Sequence, residues 1–134
     1  MYYKKNKYHN KKTYTSDGIL HDSKREANRW LELCLLHRAG KIRDLDRQVR
    51  FELIPAQYEE VYTGEYYQRG PRKGEPKKKL VCIEQSVTYV ADFVYIDNDT
   101  GEKVVEDAKG ERTKEYIIKR KLMLYLKGIR IKEI

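Results

Sequence analysis

Two short β-like runs, at about 88–97 and 103–109, are joined by Asp97-Asn98-Asp99-Thr100-Gly101, and that junction constrains the rest of the chain. Turn formers of this kind fold adjacent strands back on each other. With the turn centred between Asp99 and Thr100, Val94 pairs with Val105 and Asp92 falls opposite Asp107. Opposed residues of an antiparallel pair hold their Cβ atoms about 4.5–5.5 Å apart. Two carboxylates that close repel unless one is protonated or a cation lies between them. Lys109, two residues past Asp107, shares its face by the alternation of a strand, whereas Glu106 points to the other face unless the register slips by one. A surface ion pair between Asp107 and Lys109, and a solvent-facing Asp92, are the plainer readings. They are weakened because Val90 and Val94, on the face of Asp92, read as buried.

The other elements follow from periodicity. Thr13 to Leu20 carries a small hairpin pattern around Ser16-Asp17-Gly18. Ser23 opens a helix at about 24–38, with Ala27, Trp30, Leu31, Cys34 and Leu35 on one face and Gly40 as its stop. Val49, Phe51 and Leu53 alternate with polar residues in a half-buried strand ended by Pro55. The stretch from about 56 to 80 is punctuated by Gly64, Gly70, Pro71, Gly74 and Pro76 and reads as a basic insertion loop, with room for a short hairpin around Thr63-Gly64. A strand-like run at about 81–85 precedes the central hairpin. A second helix at about 113–127 buries Ile118, Leu122, Tyr125 and Leu126 and stops at Gly128, and Ile129 and Ile131 alternate in a last strand. The order predicts a mixed α+β fold in which the last helix is the crossover between two parallel strands.

A chain of 134 residues is expected to form one domain with a real core. Its 29 Lys and Arg against 21 Asp and Glu give a net charge of +8 and favour a polyanionic partner, nucleic acid first. Nothing approaches the roughly 18 apolar residues of a membrane span, and the basic start lacks an apolar signal core, so a cytoplasmic protein is expected. Cys34 and Cys82 have neither CxxC spacing nor nearby His pairs and read as buried, reduced packing residues. His9, His21 and His37 show no metal-ligand spacing. Two basic segments stand out: an arm over residues 1–12 with Lys4, Lys5, Lys7, Lys11 and Lys12, and the insertion with Arg69, Arg72, Lys73, Lys77, Lys78 and Lys79. With Tyr66 and Tyr67 adjacent, the second reads as a surface that tracks a nucleic-acid backbone and stacks on bases.

This order of elements, with Asp92 and Asp107-Ala108-Lys109 on the central hairpin, resembles the PD-(D/E)XK nuclease superfamily. At the residue level Asp17-Gly18, Asp22-Ser23-Lys24-Arg25-Glu26-Ala27, the region of Gln48 before Phe51, Ala91-Asp92-Phe93 and Val105-Glu106-Asp107-Ala108-Lys109-Gly110 are similar to a family of small phage and prophage proteins that look like Holliday junction resolvases. Ala91 stands where the superfamily has proline. The resemblance implies an αβββαβ core, a mixed central sheet flanked by helices, and one nuclease-like domain over residues 1–134. It implies a Mg²⁺- or Mn²⁺-dependent endonuclease acting on branched DNA in phage recombination or replication, leaving a 5′-phosphate, and working as a homodimer in the cytoplasm of a bacterial host. Asp92, Asp107 and the carbonyl of Ala108 would hold the ion, and Lys109 would hold the attacking water.

Two positions stay open. Glu26 is assigned by the resemblance to the active site, on a second ion or its water, but its spacing from Ser23 is equally that of a capping box. Gln48 resembles a position that orients water or phosphate, and a solvent-facing glutamine at a strand end fits as well. A nuclease for duplex or flap DNA, and a non-catalytic nucleic-acid-binding protein on the same fold, are the competing functions.

Overall fold

The computed structural model describes residues 11–134. It opens with the expected small hairpin: β1 (Thr13–Tyr14) pairs antiparallel with β2 (Leu20–His21). Gly18 in its turn has φ +82°, a left-handed backbone that a side chain would strain. Helix α1 (Lys24–Arg38) is capped by Ser23, whose hydroxyl accepts the Glu26 N–H at 3.1 Å, and His37 and Arg38 in its last turn complement the dipole. Its inward stripe differs from the expected one. Ala27 and Leu33 are buried, whereas Leu31 and Leu35 are 41% and 64% exposed. The helix is turned so that Trp30 lies over Phe93, ring centroids 6.0 Å apart, and Leu33 enters a cluster with Ile42, Phe93 and Tyr95. Leu33 and Phe93 are fully enclosed, so truncating either costs about 3–5 kcal/mol through lost transfer energy and the cavity left behind.

Strand β3 (Ile42–Ile54) begins seven residues before the expected Val49, which follows from its boundaries. Its first half is illegible in sequence because Asp44, at φ +53°, breaks the alternation between Ile42 and Leu45 and the inward position 47 is an arginine. The central hairpin is β6 (Val87–Asp97) and β7 (Lys103–Asp107), with Val94 opposite Val105 as the turn sequence predicts. Helix α2 (Lys114–Lys127), capped by Thr113 and ended by Gly128 at φ +65°, carries the chain to β8 (Lys132–Glu133). β8 runs parallel to β7, pairing Glu106 with Lys132 and Asp107 with Glu133. The sheet order is β3-β6-β7-β8, a mixed sheet in an α+β chain.

The expected face of α2 is also rotated. Tyr116 and Met123 are buried, Leu122 is half-buried, and Ile118, Tyr125 and Leu126 are exposed. The helix carries two apolar stripes, and periodicity alone cannot choose between them. The last strand begins three residues after the expected Ile129, with Ile131 buried just ahead of it. Cys82 is exposed and Cys34 half-buried, both free thiols, so the expected burial holds for neither in full.

The chain divides into two compact units, one running through Phe51 and again over Tyr89–Ile134, the other Glu52–Thr88. The second unit corrects the expected insertion loop. It is a long antiparallel hairpin of β4 (Gln57–Tyr66) and β5 (Pro76–Glu84). Thr63-Gly64 is not its turn: Gly64 sits within β4 where the register shifts between Tyr62 and Tyr66. A bulge glycine and a turn glycine look alike in sequence. No described helix is long and apolar enough to cross a membrane.

Candidate functional site

Every residue of the candidate site lies in the first unit. The β6–β7 ladder runs to Phe93 opposite Glu106, and one further step brings Asp92 to Asp107. There side chains take over from the ladder. Asp92 Oδ2 accepts the Ala108 N–H at 2.8 Å, and Asp92 Oδ1 accepts the side-chain amide of Gln48 at 3.3 Å. Asp107 is buried; its Oδ2 accepts the hydroxyl of Tyr89, and its Oδ1 lies 3.0 Å from the Lys109 ammonium but out of line for a hydrogen bond. The Lys109 ammonium also sits 4.4 Å from the centroid of the Tyr116 ring. The backbone here is fixed from outside: the Ile134 N–H donates to the Asp107 carbonyl at 3.0 Å, and the Arg25 guanidinium donates to the Lys109 carbonyl at 2.9 Å.

Glu26 resolves half of its ambiguity. Its backbone N–H serves the Ser23 cap, but its buried carboxylate turns toward Gln48, whose amide donates to Oε1 at 3.2 Å, and toward His21 Nδ1 at 3.5 Å. One glutamine amide therefore bridges Glu26 and Asp92. Gln48 is exposed and holds a left-handed backbone that a non-glycine residue adopts only under constraint. Behind Glu26, buried His21 places Nε2 3.3 Å from the Thr15 hydroxyl. Thr15 and Trp30 donate to Asp17, and these hydrogen bonds hold the Asp17 carboxyl down to about 2.

The electrostatics match this crowding. Burial, then the charges of Asp107 and Glu26, push the Asp92 carboxyl up to about 7, against the opposing pull of the Ala108 N–H and Lys109. Burial, followed by the bond to Asp107, raises the Tyr89 hydroxyl and keeps it a donor. Glu106 is spoken for elsewhere. Arg29 grips both its oxygens at 2.6 and 2.8 Å, Tyr95 donates to it, and Lys132 lies 3.7 Å away. Burial resists ionisation of Glu106, yet the hydrogen bonds from Arg29 and Tyr95 outweigh it and hold the carboxyl below its ordinary range. Glu106 and Asp107 thus serve opposite faces, as strand alternation requires.

Among the described residues no three His, Cys, Asp or Glu side chains close into a metal cage as they stand. The donors of Asp92 and Asp107 nonetheless suit a hard divalent cation. They are carboxylate oxygens, one of them buried without an aligned donor, in a setting that penalises their negative charge. A family profile matches the chain over residues 5–132. The chain belongs to the DUF1064 family. That family is described as proteins of unknown function. No curated protein and no solved structure matches the chain.

The DUF1064 match takes in every candidate residue except Lys4. Of the basic arm, Lys4, Lys5 and Lys7 lie outside the described residues, and Lys11 and Lys12 are exposed. In the β4–β5 hairpin of this DUF1064 chain, Arg72 pairs with Glu75 at 2.9 Å and lies over the Tyr67 ring at 4.6 Å, with the Lys77 ammonium 5.4 Å from the same ring. Lys78 lies over Tyr62 at 5.2 Å. Arg69, Lys73 and Lys79 are exposed and have no ion pair among the described residues. Tyr67 is half-covered by its own cations, whereas Tyr66 is 56% exposed and open to stacking.

The residues that sequence reading missed are His21, Tyr89 and Arg25. Tyr89 had a usable signal, because a tyrosine inside an apolar strand needs a partner for its hydroxyl. Arg25 acts on Lys109, 84 residues away in sequence, and left none; His21 meets Thr15 and Glu26 close by, but nothing in its spacing marked it.

Proposed function

We propose that this chain is a Mg²⁺- or Mn²⁺-dependent endonuclease that hydrolyses DNA phosphodiesters, on a PD-(D/E)XK-like core, and that branched DNA is its substrate class. The observation that carries the reading is the meeting of Asp92 and Asp107 beside Lys109, with one buried Asp107 oxygen facing that ammonium without a hydrogen bond and the Asp92 carboxyl raised by burial and its acidic neighbours. Carboxylates so placed are held apart from a proton or a cation only at a cost, and the chain keeps both of them.

Asp92, Asp107 and the carbonyl of Ala108 would hold the ion. When bound, such an ion lowers the pKa of a coordinated water and neutralises charge that builds on a phosphate. The chain's own residues do the rest. Lys109, kept at Asp107 by charge and at Tyr116 by its ring face, orients the attacking water and offsets developing negative charge. Glu26, with its carboxylate turned to Gln48, accepts a proton from that water or steadies it through the amide. Gln48 sets the spacing of Glu26 and Asp92. Tyr89 fixes the Asp107 rotamer by occupying Oδ2, so that Oδ1 is the oxygen left to work. Exposed Lys11, Lys12, Arg69 and Lys73 bind phosphates.

Incubating the protein with supercoiled plasmid, a linear duplex, a flap and a synthetic four-way junction, each with Mg²⁺ or with EDTA, tests the proposal. Cleavage that needs Mg²⁺ and is fastest on the junction is expected. Cleavage of duplex or flap alone would reassign the substrate, and binding without cleavage at any divalent ion would leave a nucleic-acid-binding protein in place of an enzyme.

A further inference from the structure

We propose that β5 pairs edge to edge with β5 of a second copy of this chain, joining two hairpins into one four-stranded antiparallel sheet. The inference stands on the β4–β5 hairpin and does not depend on the nuclease reading. Among the described residues β5 has one strand neighbour, β4, so its other edge presents unpaired N–H and C=O groups. An isolated two-stranded hairpin is marginal in water, and a long edge rich in apolar residues is a template for another strand. Leu80, Val81 and Ile83 are 67%, 38% and 54% exposed, and Cys82 beside them is exposed as well.

The choice of edge and of occupant rests on regularity and charge. β4 is broken by its register shift at Gly64 and carries Glu59, Glu60 and Glu65 with no cation, so two copies meeting there would oppose like charges. β5 pairs without a shift from Lys78 to Cys82, and its own irregularity is confined to one residue, Ile83, ahead of Glu84. Its charges are split, with Lys77, Lys78 and Lys79 at one end and Glu84 at the other. Two antiparallel copies therefore set a basic end against an acidic end twice over. A two-fold axis normal to the sheet allows only registers in which like-faced residues meet. Centring it on Val81 pairs Lys78 with Glu84 of the other copy, Lys79 with Ile83, and Leu80 with Cys82. Glu84 has no ion pair among the described residues of one copy, and this register supplies one. It also extends the row of Tyr58 and Cys82 by the Leu80 of the other copy, so that an apolar strip crosses the sheet. A phosphate backbone fits this edge less well, because it neither matches the strand's alternating donors and acceptors nor tolerates Glu84. The Lys-rich residues 4–12 have the wrong sign for its basic end.

Sedimentation equilibrium of the full chain over a range of concentrations tests the pairing. A monomer–dimer equilibrium is expected. Lys78→Glu turns two attractive cross-strand pairs into repulsive ones and should raise the dimer Kd about tenfold. Glu84→Lys should do the same, and the double reversal Lys78→Glu with Glu84→Lys should restore the dimer. Placed on the axis, Val81→Cys in a Cys82→Ser background should cross-link to itself under diamide, since opposed Cα atoms about 4.5–5.5 Å apart fall within disulfide reach. Circular dichroism on each variant separates loss of pairing from loss of fold. A monomer at all concentrations, a dimer indifferent to both charge reversals, or a folded Val81→Cys variant that does not cross-link would each overturn the proposal. So would charge reversals that weaken DNA binding and leave the mass unchanged.

Discussion

Replacing Asp92 with Asn removes one charge from the crowded site while preserving its shape. The new amide oxygen can still accept the Ala108 N–H, and Gln48 keeps its amide on Glu26 while giving up its longer bond to residue 92. The Asp92 carboxyl stands at about 7 in the fold against an ordinary 3.8. Each unit of such a difference is about 1.36 kcal/mol, which gives about 4 kcal/mol at most and on the order of 2–4 once partial solvent screening is allowed. The folded protein binds a proton here that the unfolded chain has already lost, so the favourable contribution is complete below about pH 4 and disappears as pH rises toward 7 and beyond. Without divalent ions the wild type should therefore lose 2–4 kcal/mol of stability between about pH 4 and pH 8 that Asp92→Asn does not lose, and at pH 8 the variant should be the more stable by about that amount. Urea unfolding at a series of pH values in EDTA reads both effects. At pH 8, Mg²⁺ at ten times its Kd should restore about 1.4 kcal/mol to the wild type and nothing to the variant. Superimposable pH profiles, or a variant less stable than wild type at pH 8, would refute the picture of crowded carboxylates.

If the Glu26 carboxylate works on water, Glu26→Gln should lower the cleavage rate at least tenfold while shifting the unfolding midpoint little, since the Ser23 cap uses only its backbone N–H; an unchanged rate would return it to a structural role. Arg29→Ala strands the buried Glu106 carboxylate with Tyr95 and Lys132 alone and should cost about 2–3 kcal/mol in urea unfolding; a loss below about 0.5 kcal/mol would show the pair to be ornamental. Changing Lys11, Lys12, Arg69 and Lys73 together to Ala should weaken DNA binding and make the log–log salt dependence shallower by up to about 0.9 for each phosphate released. An unchanged slope in a filter-binding or anisotropy titration would mark these residues as solvated surface.

The central hairpin and both helix boundaries were legible because their signals are local: a turn sequence, a Ser or Thr cap, a stopping glycine. The Val94–Val105 register follows from counting out from the turn, and it sets Asp92 opposite Asp107. What sequence left dark depends on distant partners. The inward faces of α1 and α2 are set by Trp30 on Phe93 and by Met123, and each helix offers a second apolar stripe that periodicity counts equally. The first half of β3 hides behind the break at Asp44 and the inward-facing Arg47, and the β4–β5 hairpin hides because exposed strands on both faces show little contrast between polar and apolar positions. The dual use of Glu26 is hidden in the same way, since a cap and a carboxylate pointing elsewhere share one sequence pattern.

Single-turnover cleavage of a labelled four-way junction by the wild type and by Asp107→Asn, each in Mg²⁺ and in EDTA, tests the reading most directly. The asparagine keeps an oxygen for the Tyr89 hydroxyl and so leaves the local packing in place. Cleavage by the wild type that vanishes in EDTA, and that falls at least a hundredfold in Asp107→Asn with junction binding retained, is the result expected from a carboxylate-held ion. Equal cleavage by the two proteins, or none by the wild type with Mg²⁺ or Mn²⁺, would contradict it.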